Sequence, residues 1–217
     1  MGMWYGLTPT VNMVRIRKQF AELPLRAQIY AYEGLGFSVS LFHQTTEGKG
    51  GLEVAERLPF AAASAFAHGA GRAMWVKFGE DMPAFTKALS SLSERFRPDA
   101  VSGYGMGVGF TRIGHPDEFL RIGDEVVQAT GQPCTSYLTG LSMGLGVRDT
   151  ADRGFVAQSL GADPTAKRLR DVSLGVLKTL QDAQVEELHG NWRKSIRENI
   201  QNGRPAATPN QSCQVPS

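Results

Sequence analysis

The sequence has few cysteines, no long apolar run and no strong excess of one charge. Its two cysteines, Cys134 and Cys213, are too few for a disulfide framework, and Cys213 lies in a segment that we predict to be loose. This favours a reducing compartment. No stretch approaches the ~18 apolar residues that cross a bilayer. The N-terminal segment carries its charges after its few apolar residues, unlike a secretion signal. We therefore predict a soluble, cytoplasmic protein.

The charged and metal-binding residues exclude further classes. The 23 lysines and arginines nearly balance the 21 aspartates and glutamates, and the net charge of +2 is too small to indicate nucleic acid as a partner. The histidines do not stand at the spacing of a metal site: His43, His68, His115 and His189. We expect no metal, no cofactor, no nucleic acid and no membrane span. With 41% hydrophobic residues, the chain is able to bury a core.

Glycine is abundant instead, and it recurs at a regular interval. Four segments align on a glycine, with spacings of 35, 34 and 37 residues: Gly34, Gly69, Gly103 and Gly140. A small residue follows each of them four positions later: Ser38, Ala73, Gly107 and Gly144. Self-similarity at this period is typical of proteins built from repeated helix pairs.

The segment "SGYGMGVGF", residues 102–110, has a glycine at every second position. A helix is the favoured interpretation, because small residues four apart let another backbone approach closely and so offset the ~1 kcal/mol that a helical glycine costs. The alternation also fits a strand, although the sister segments do not keep the period of two. A phosphate loop is a third interpretation, but the segment lacks the lysine and the Ser/Thr of a P-loop.

The intervening segments have the apolar spacing of amphipathic helices, with Phe85, Leu89, Leu92 and Phe96 as one example. We therefore predict an all-α fold, an α-solenoid-like array of antiparallel helix pairs with a repeat of about 35 residues. The polar last helix is expected to cap the C-terminal end of this array. Residues 1–202 form one helical repeat domain in this interpretation, and residues 203–217 form a disordered C-terminal tail.

The candidate site residues cluster around the repeated glycines. The residues directly before these glycines would line one ridge at which a groove binds a ligand, with helix capping or solvent contact as the alternative: Glu33, His68, Ser102 and Thr139. Arg72 and Trp75 stand one turn apart and suit a cation–π pair or an anion contact, with a structural salt bridge as the alternative. Tyr104 and Trp75, with Met106 and Met143, suit an apolar ligand or simple core packing.

Four blocks of the chain resemble a known family: "LRAQIYAYEGLGFSVSLF", "AFAHGAGRAMWVKFGEDM", "DAVSGYGMGVGF" and "NWRKSIRENI". The resemblance is to a bacterial family of uncharacterised proteins that carry the name enediyne biosynthesis proteins. It extends from about Trp4 to Ile200, and "GAGRAMW" is its most specific part. Because this family is associated with polyketide gene clusters, the resemblance implies an accessory role in biosynthesis. It supplies no catalytic residues.

The leading functional hypothesis is a binding or scaffold module that mediates protein–protein interaction, because helical arrays usually present a face to a protein or peptide. The alternative is an enzyme or small-molecule-binding accessory protein in polyketide metabolism. A subunit of a larger assembly is a third possibility. A deep pocket with convergent polar groups would favour the second hypothesis, and an exposed apolar stripe would favour the third.

Overall fold

The computed structural model describes residues 13–43, 52–152, 154–160, 163–183, 188–202 and 213, and every regular element within these ranges is helical. The helices are α1 (Met13–Ala21), α2 (Leu25–Ser38), α3 (Phe60–Phe78), α4 (Met82–Leu89), α5 (Arg97–Thr111), α6 (Asp117–Thr130), α7 (Cys134–Ala151), α8 (Phe155–Ser159), α9 (Pro164–Asp182) and α10 (Leu188–Asn202). A π turn extends α2 (Val39–His43), and there are two 3-10 turns (Leu52–Arg57 and Glu94–Phe96). The prediction of an all-α fold is confirmed.

Short-range signals set the ends of several helices. Asp81 and Asp163 cap α4 and α9, because their carboxylates accept hydrogen bonds from the N–H groups of Ala84 and Ala166 at 3.0 and 2.7 Å. Gly79 ends α3 with a φ of 56°, in the region that side-chain-bearing residues avoid. The chain therefore turns sharply between α3 and α4.

Helices α2, α3, α5 and α7 pack side by side in the order of the chain. Between α3 and α5, Gly103 lies against His68, and further along both helices Trp75 Nε1 donates to Thr111 Oγ1 at 2.7 Å. The two helices therefore run in the same direction. The other pairs follow the same rule, with contacts Glu33–Gly69 and Leu41–Lys77 between α2 and α3, and Ser102–Gly140 and Met106–Gly144 between α5 and α7.

The repeated glycines are the points at which these backbones meet. A Cβ atom added to Gly69, Gly103 or Gly140 would collide with the carbonyl oxygen of Glu33, His68 or Ser102 on the preceding helix. Each glycine therefore points a Cα hydrogen at a carbonyl oxygen of its neighbour, which is the arrangement of the weak Cα–H···O contacts found between close helices. The predicted close approach of helices at these three glycines is confirmed.

The alternating glycines of α5 form two stripes on opposite faces. Gly103 and Gly107 face α3, where a Cβ would meet His68 O and the Trp75 side chain, respectively. Gly105 and Gly109 face α7, at the carbonyl oxygens of Tyr137 and Leu141. Two residues of an α-helix rotate by about 200°, so glycines two positions apart lie on opposite faces. Glycines four positions apart lie on the same face. The helix interpretation of residues 102–110 is confirmed, and the strand and phosphate-loop interpretations are wrong.

In the first repeat, a close contact between backbones lies at Gly36, two residues after the predicted Gly34. Gly34 is only half-buried, whereas a Cβ at Gly36 would collide with the carbonyl oxygen of Phe66. Gly36 corresponds in register to Gly71 and Gly105, which face the following helix. The anchor position faces the preceding glycine helix instead, and α2 is the first helix of the row among the described residues. Gly144 keeps its predicted role, because a Cβ there would meet the carbonyl oxygen of Met106.

The last helix does not cap one end of the row. On α10, Trp192 packs near Gly146 of α7, while Arg193 Nη2 donates to Ser64 Oγ of α3 at 2.8 Å. Helix α10 also contacts α2. An end cap would touch the last repeat alone, whereas α10 lies across the row from α2 to α7. The predicted capping role is therefore wrong, and the surface of α10 is partly used in packing.

The two cysteines form a disulfide bond that joins residue 213 to the start of α7. Cys213 is fully buried next to Cys134, and its N–H donates to the Asp124 carboxylate on α6. This differs from the expectation of a reducing compartment and from the prediction that Cys213 lies in a loose tail. The other residues of the predicted tail, 203–212 and 214–217, lie outside the described residues.

The close contacts predict that a single methyl group at Gly103 disrupts the row. We expect Gly103→Ala to lower the free energy of unfolding by about 3 kcal/mol or more, because the carbonyl of His68 cannot move aside as a side chain can. The matched control is Gly175→Ala in α9, where an added Cβ meets nothing within 4 Å. There the better helix propensity of alanine is expected to stabilise by about 0.5–1 kcal/mol.

Urea unfolding followed by circular dichroism measures both variants. Opposite signs of the two changes support the packing. Equal changes for Gly103→Ala and Gly175→Ala would show that the backbones are not in contact at Gly103.

Candidate functional site

Three of the predicted site residues form one ionic cluster between α2 and α3. Glu33 Oε1 lies 3.2 Å from His68 Nδ1 and 3.2 Å from Arg72 Nη1. The guanidinium of Arg72 also covers the ring of Phe37, at 5.1 Å from its centroid. Arg72 is thus placed in a salt bridge and over a different aromatic ring from the predicted Trp75, which lies near Arg112 instead.

The burial of this cluster limits its chemistry. The side chains of Glu33 and His68 are almost fully buried, and only Arg72, with 31% of its side chain exposed, reaches solvent. A histidine beside a carboxylate suits general base chemistry when a substrate reaches the ring. The His68 side chain has no exposed surface. The arrangement therefore ties α2 to α3 next to Gly69 and offers solvent only a guanidinium.

The other two residues of the predicted ridge are buried as well. Ser102 and Thr139 are fully buried in α5 and α7. The Thr139 hydroxyl donates back to the carbonyl oxygen of Thr135 at 2.6 Å, within its own helix. The carbonyl of Ser102 faces Gly140. The repeated position before each glycine therefore lines a contact between helices and not a groove.

The aromatic and methionine residues proposed for an apolar ligand pack against one another. Tyr104 lies between Trp75, at 5.3 Å between ring centroids, and Phe85, at 4.3 Å. Its hydroxyl donates to the carbonyl oxygen of Gly79 at 2.6 Å. Met106 and Met143 are also buried. The residues predicted to hold an apolar ligand therefore pack in the core of the protein.

The buried phenols are not acid–base groups at neutral pH. Burial raises the pKa of Tyr104, and the carboxylates of Glu80 and Glu125 raise it further. Complete burial also raises the pKa of Tyr137 well above its usual range. Both hydroxyls donate to backbone carbonyls, that of Tyr137 to Phe119 O at 2.9 Å. Their role is to orient neighbouring elements.

Two classes of site have no counterpart in the part of the chain that the structure describes. No three His, Cys, Asp or Glu residues within the described ranges come together as a set of metal ligands. None of the helices in those ranges combines the length and the apolar character that crossing a bilayer requires.

The glycine helices carry a set of exposed apolar side chains, which we call the apolar row. Three large apolar side chains remain 55%, 57% and 41% exposed: Phe42, Val76 and Phe110. Phe42 lies in the π turn that extends α2, and Val76 and Phe110 lie in the last turns of α3 and α5. Because these helices are parallel, the three side chains lie at the same end of the bundle. The guanidinium of Arg148 covers Phe110 at 5.5 Å from the ring centroid. The signal was an apolar residue near the seventh position after each glycine.

A cleft with several charged side chains lies at the opposite end of the same helices. It has a volume of about 500 Å³ and is bounded by the first turns of α3 and α5 and by one face of α10. Its charged members carry four positive and two negative groups: Arg95, Arg193, Lys194, Arg197, Asp99 and Glu198. The signal in the sequence was a pair of arginines four residues apart in the last helix, which places them on one face.

The chain belongs to the family described as protein of unknown function (DUF1702), which matches residues 10–200. The match covers all the glycine helices and nearly all of α10. No curated protein and no solved structure matches the chain.

The buried phenol of Tyr137 predicts a loss of stability at alkaline pH. In the unfolded chain the phenol ionises near its ordinary pKa of about 10, whereas in the folded protein its raised pKa keeps it protonated. The stabilisation is therefore complete below about pH 10 and is lost as the pH rises above it.

Urea unfolding between about pH 8 and about pH 11 measures this dependence. We expect Tyr137→Phe to have a smaller alkaline slope of the free energy of unfolding than the wild type. The control, Tyr30→Phe, changes a half-exposed phenol and is expected to keep the slope. An unchanged slope in Tyr137→Phe would contradict the buried, protonated state.

Proposed function

We propose that the protein is a helical binding module that associates with another protein chain within a larger bacterial assembly. The observation that carries this proposal is the apolar row, Phe42, Val76 and Phe110, exposed at one end of three adjacent parallel helices. Single exposed apolar residues are ordinary on a protein surface, but a contiguous set usually marks an interaction site.

The composition of this end of the bundle supports the same proposal. Arginine and aromatic side chains are enriched at the energetic centres of protein interfaces. Here Arg148 covers both Phe110 and Phe155, and Arg112 lies 5.8 Å from the ring centroid of Trp75. Pre-packed guanidinium groups lose little conformational freedom when a partner covers them.

The repeat is part of the proposal. Helices α3 and α4 form one unit of it, and helices α5 and α6 form the next, since α4 contacts α6 beside the contact between α3 and α5. Each unit brings one apolar side chain to the same end, Val76 in the first and Phe110 in the second. The repeated helix pair would thus repeat a point of contact with the partner.

A second candidate is an accessory protein that binds a small molecule in polyketide metabolism. The resemblance to enediyne biosynthesis proteins suggests this role, and the cleft beside α10 is the observation that favours it. We place it second because the residues first proposed to hold a ligand, Tyr104 and Trp75 among them, are packed in the core.

The proposal predicts that polar substitutions in the row remove a bound chain. We expect Val76→Ser combined with Phe110→Ser to reduce the amount of an associated chain by at least about tenfold, because truncating a residue at the energetic centre of an interface costs more than about 1 kcal/mol of binding. Native mass spectrometry and size-exclusion chromatography of protein purified from its own host measure this. Val14→Ser on α1 is the control, since Val14 is exposed outside the row.

Thermal unfolding must first show that both variants remain folded. A wild type that carries no second chain, or a double variant that keeps the same chain as Val14→Ser does, would contradict the proposal. If the second chain is another copy of this protein, the row is a homo-oligomeric interface, and the mass identifies it.

A further inference from the structure

The cleft beside α10 contains more positive charge than its own carboxylates satisfy. Arg193 and Arg197 stand on one face of α10, and both approach the same acceptor, Asp99 Oδ1, at 3.3 Å from Nη1 of Arg193 and 3.9 Å from Nη2 of Arg197. Like charges four residues apart repel each other. A single carboxylate therefore serves two guanidinium groups.

Both arginines also have buried donors without an acceptor. The side chain of Arg193 is only 8% exposed, and its Nη2 donates to Ser64 Oγ at 2.8 Å. The Nε atoms of Arg193 and Arg197 are buried and have no hydrogen-bond partner among the described residues. A guanidinium carries five donors and no acceptor, and a buried donor that lacks a partner is costly. The two arginines therefore call for further oxygen atoms at this place.

The first turn of α3 adds donors on the same side. Helix α3 begins at Phe60 after Pro59, and no side chain of a described residue caps it. Phe60 and Ala61 line the cleft. The first N–H groups of a helix have no acceptor within the helix, and its N-terminus carries a partial positive charge that favours anions.

The other charged groups of the cleft do not remove this surplus. Arg95 pairs with Glu56 at 2.5 Å, and Lys194 lies 4.0 Å from Glu198. Within each of these exposed pairs, the positive charge is balanced by the negative charge of its partner. Within the part of the chain that the structure describes, the two arginines that share Asp99 remain with one uncompensated positive charge.

We propose that this cleft binds the carboxylate or phosphate group of a small molecule, with Arg193 and Arg197 as the anchoring residues. The volume of about 500 Å³ lies within the range of small-molecule sites. Phe60, 68% exposed, and Ile29 form an apolar wall beside the arginines, which suits a ligand that carries an apolar body next to its anionic group. The inference is independent of the proposed protein association, because no residue of the apolar row lines the cleft.

The test uses phenyl phosphate and benzoate as amphipathic anions, inorganic phosphate as the bare anion and benzyl alcohol as the neutral analogue. Isothermal titration calorimetry and the shift of the unfolding temperature measure binding to the whole chain. We expect at least one of the two amphipathic anions to bind with a dissociation constant below about 10 mM and benzyl alcohol not to bind. The stronger of the two anions distinguishes a phosphate site from a carboxylate site.

Two matched variants locate the binding. We expect Arg197→Gln, which removes a partly exposed guanidinium, to weaken binding by at least about tenfold. Lys178→Gln on α9 removes the same charge at an exposed residue that does not line the cleft, and is expected to bind as the wild type does. Arg193→Lys keeps the charge but loses the planar set of donors, and it is expected to weaken binding as well.

Circular dichroism of the variants separates lost binding from lost structure. Should Arg193→Lys fail to fold, Arg197→Gln still decides the outcome. The proposal is overturned if neither amphipathic anion binds the wild type, or if Arg197→Gln and Lys178→Gln bind equally. Equal affinity for inorganic phosphate and phenyl phosphate would support the anion site and overturn the role of Phe60.

Discussion

The contact of bare glycine backbone with a neighbouring carbonyl is the constraint on which the rest of the structure depends. Gly69, Gly103 and Gly140 each face the residue before the corresponding glycine of the preceding helix. Four long helices are thereby held in one parallel row. Any side chain at these points would separate the helices and move every element that packs on them, including α10. The polar residues beside the glycines are buried as a consequence.

The parallel direction of the row gives its two ends different chemistry. The cleft lies where α3 and α5 begin, and the apolar row lies where they end. Helix N-termini carry partial positive charge, and Arg193 and Arg197 strengthen it at the end where an anion is proposed to bind. At the other end, Phe110 and its neighbours offer apolar contact area. One fold thus separates the two proposed sites by the length of its helices.

Local patterns in the sequence predicted the helices. The burial of polar residues and the pairing of distant residues depend on long-range contacts, which these patterns do not contain. The spacing of small residues was enough to infer close packing at Gly103 and Gly140. It did not show that Glu33 and His68 lie inside the protein, because burial depends on which neighbours cover them. The contact of Arg193 with Ser64 joins residues 129 positions apart, and the Cys134–Cys213 bond spans 79 positions. No periodicity in the sequence carries information about such pairs.

The two glycine stripes of α5 do not by themselves determine the register of this helix against its neighbours. A helix with this motif looks the same to its neighbours after sliding by two residues and turning by about 200°. The motif therefore permits close helix contact but does not fix the register between the helices. Larger side chains must fix that register. Two hydrogen bonds fix the register in this way: the Tyr104 phenol donates to the Gly79 carbonyl, and the Trp75 indole donates to the Thr111 hydroxyl. The register of the packed helices thus depends on a few bulky residues that lie between equivalent glycine contact points.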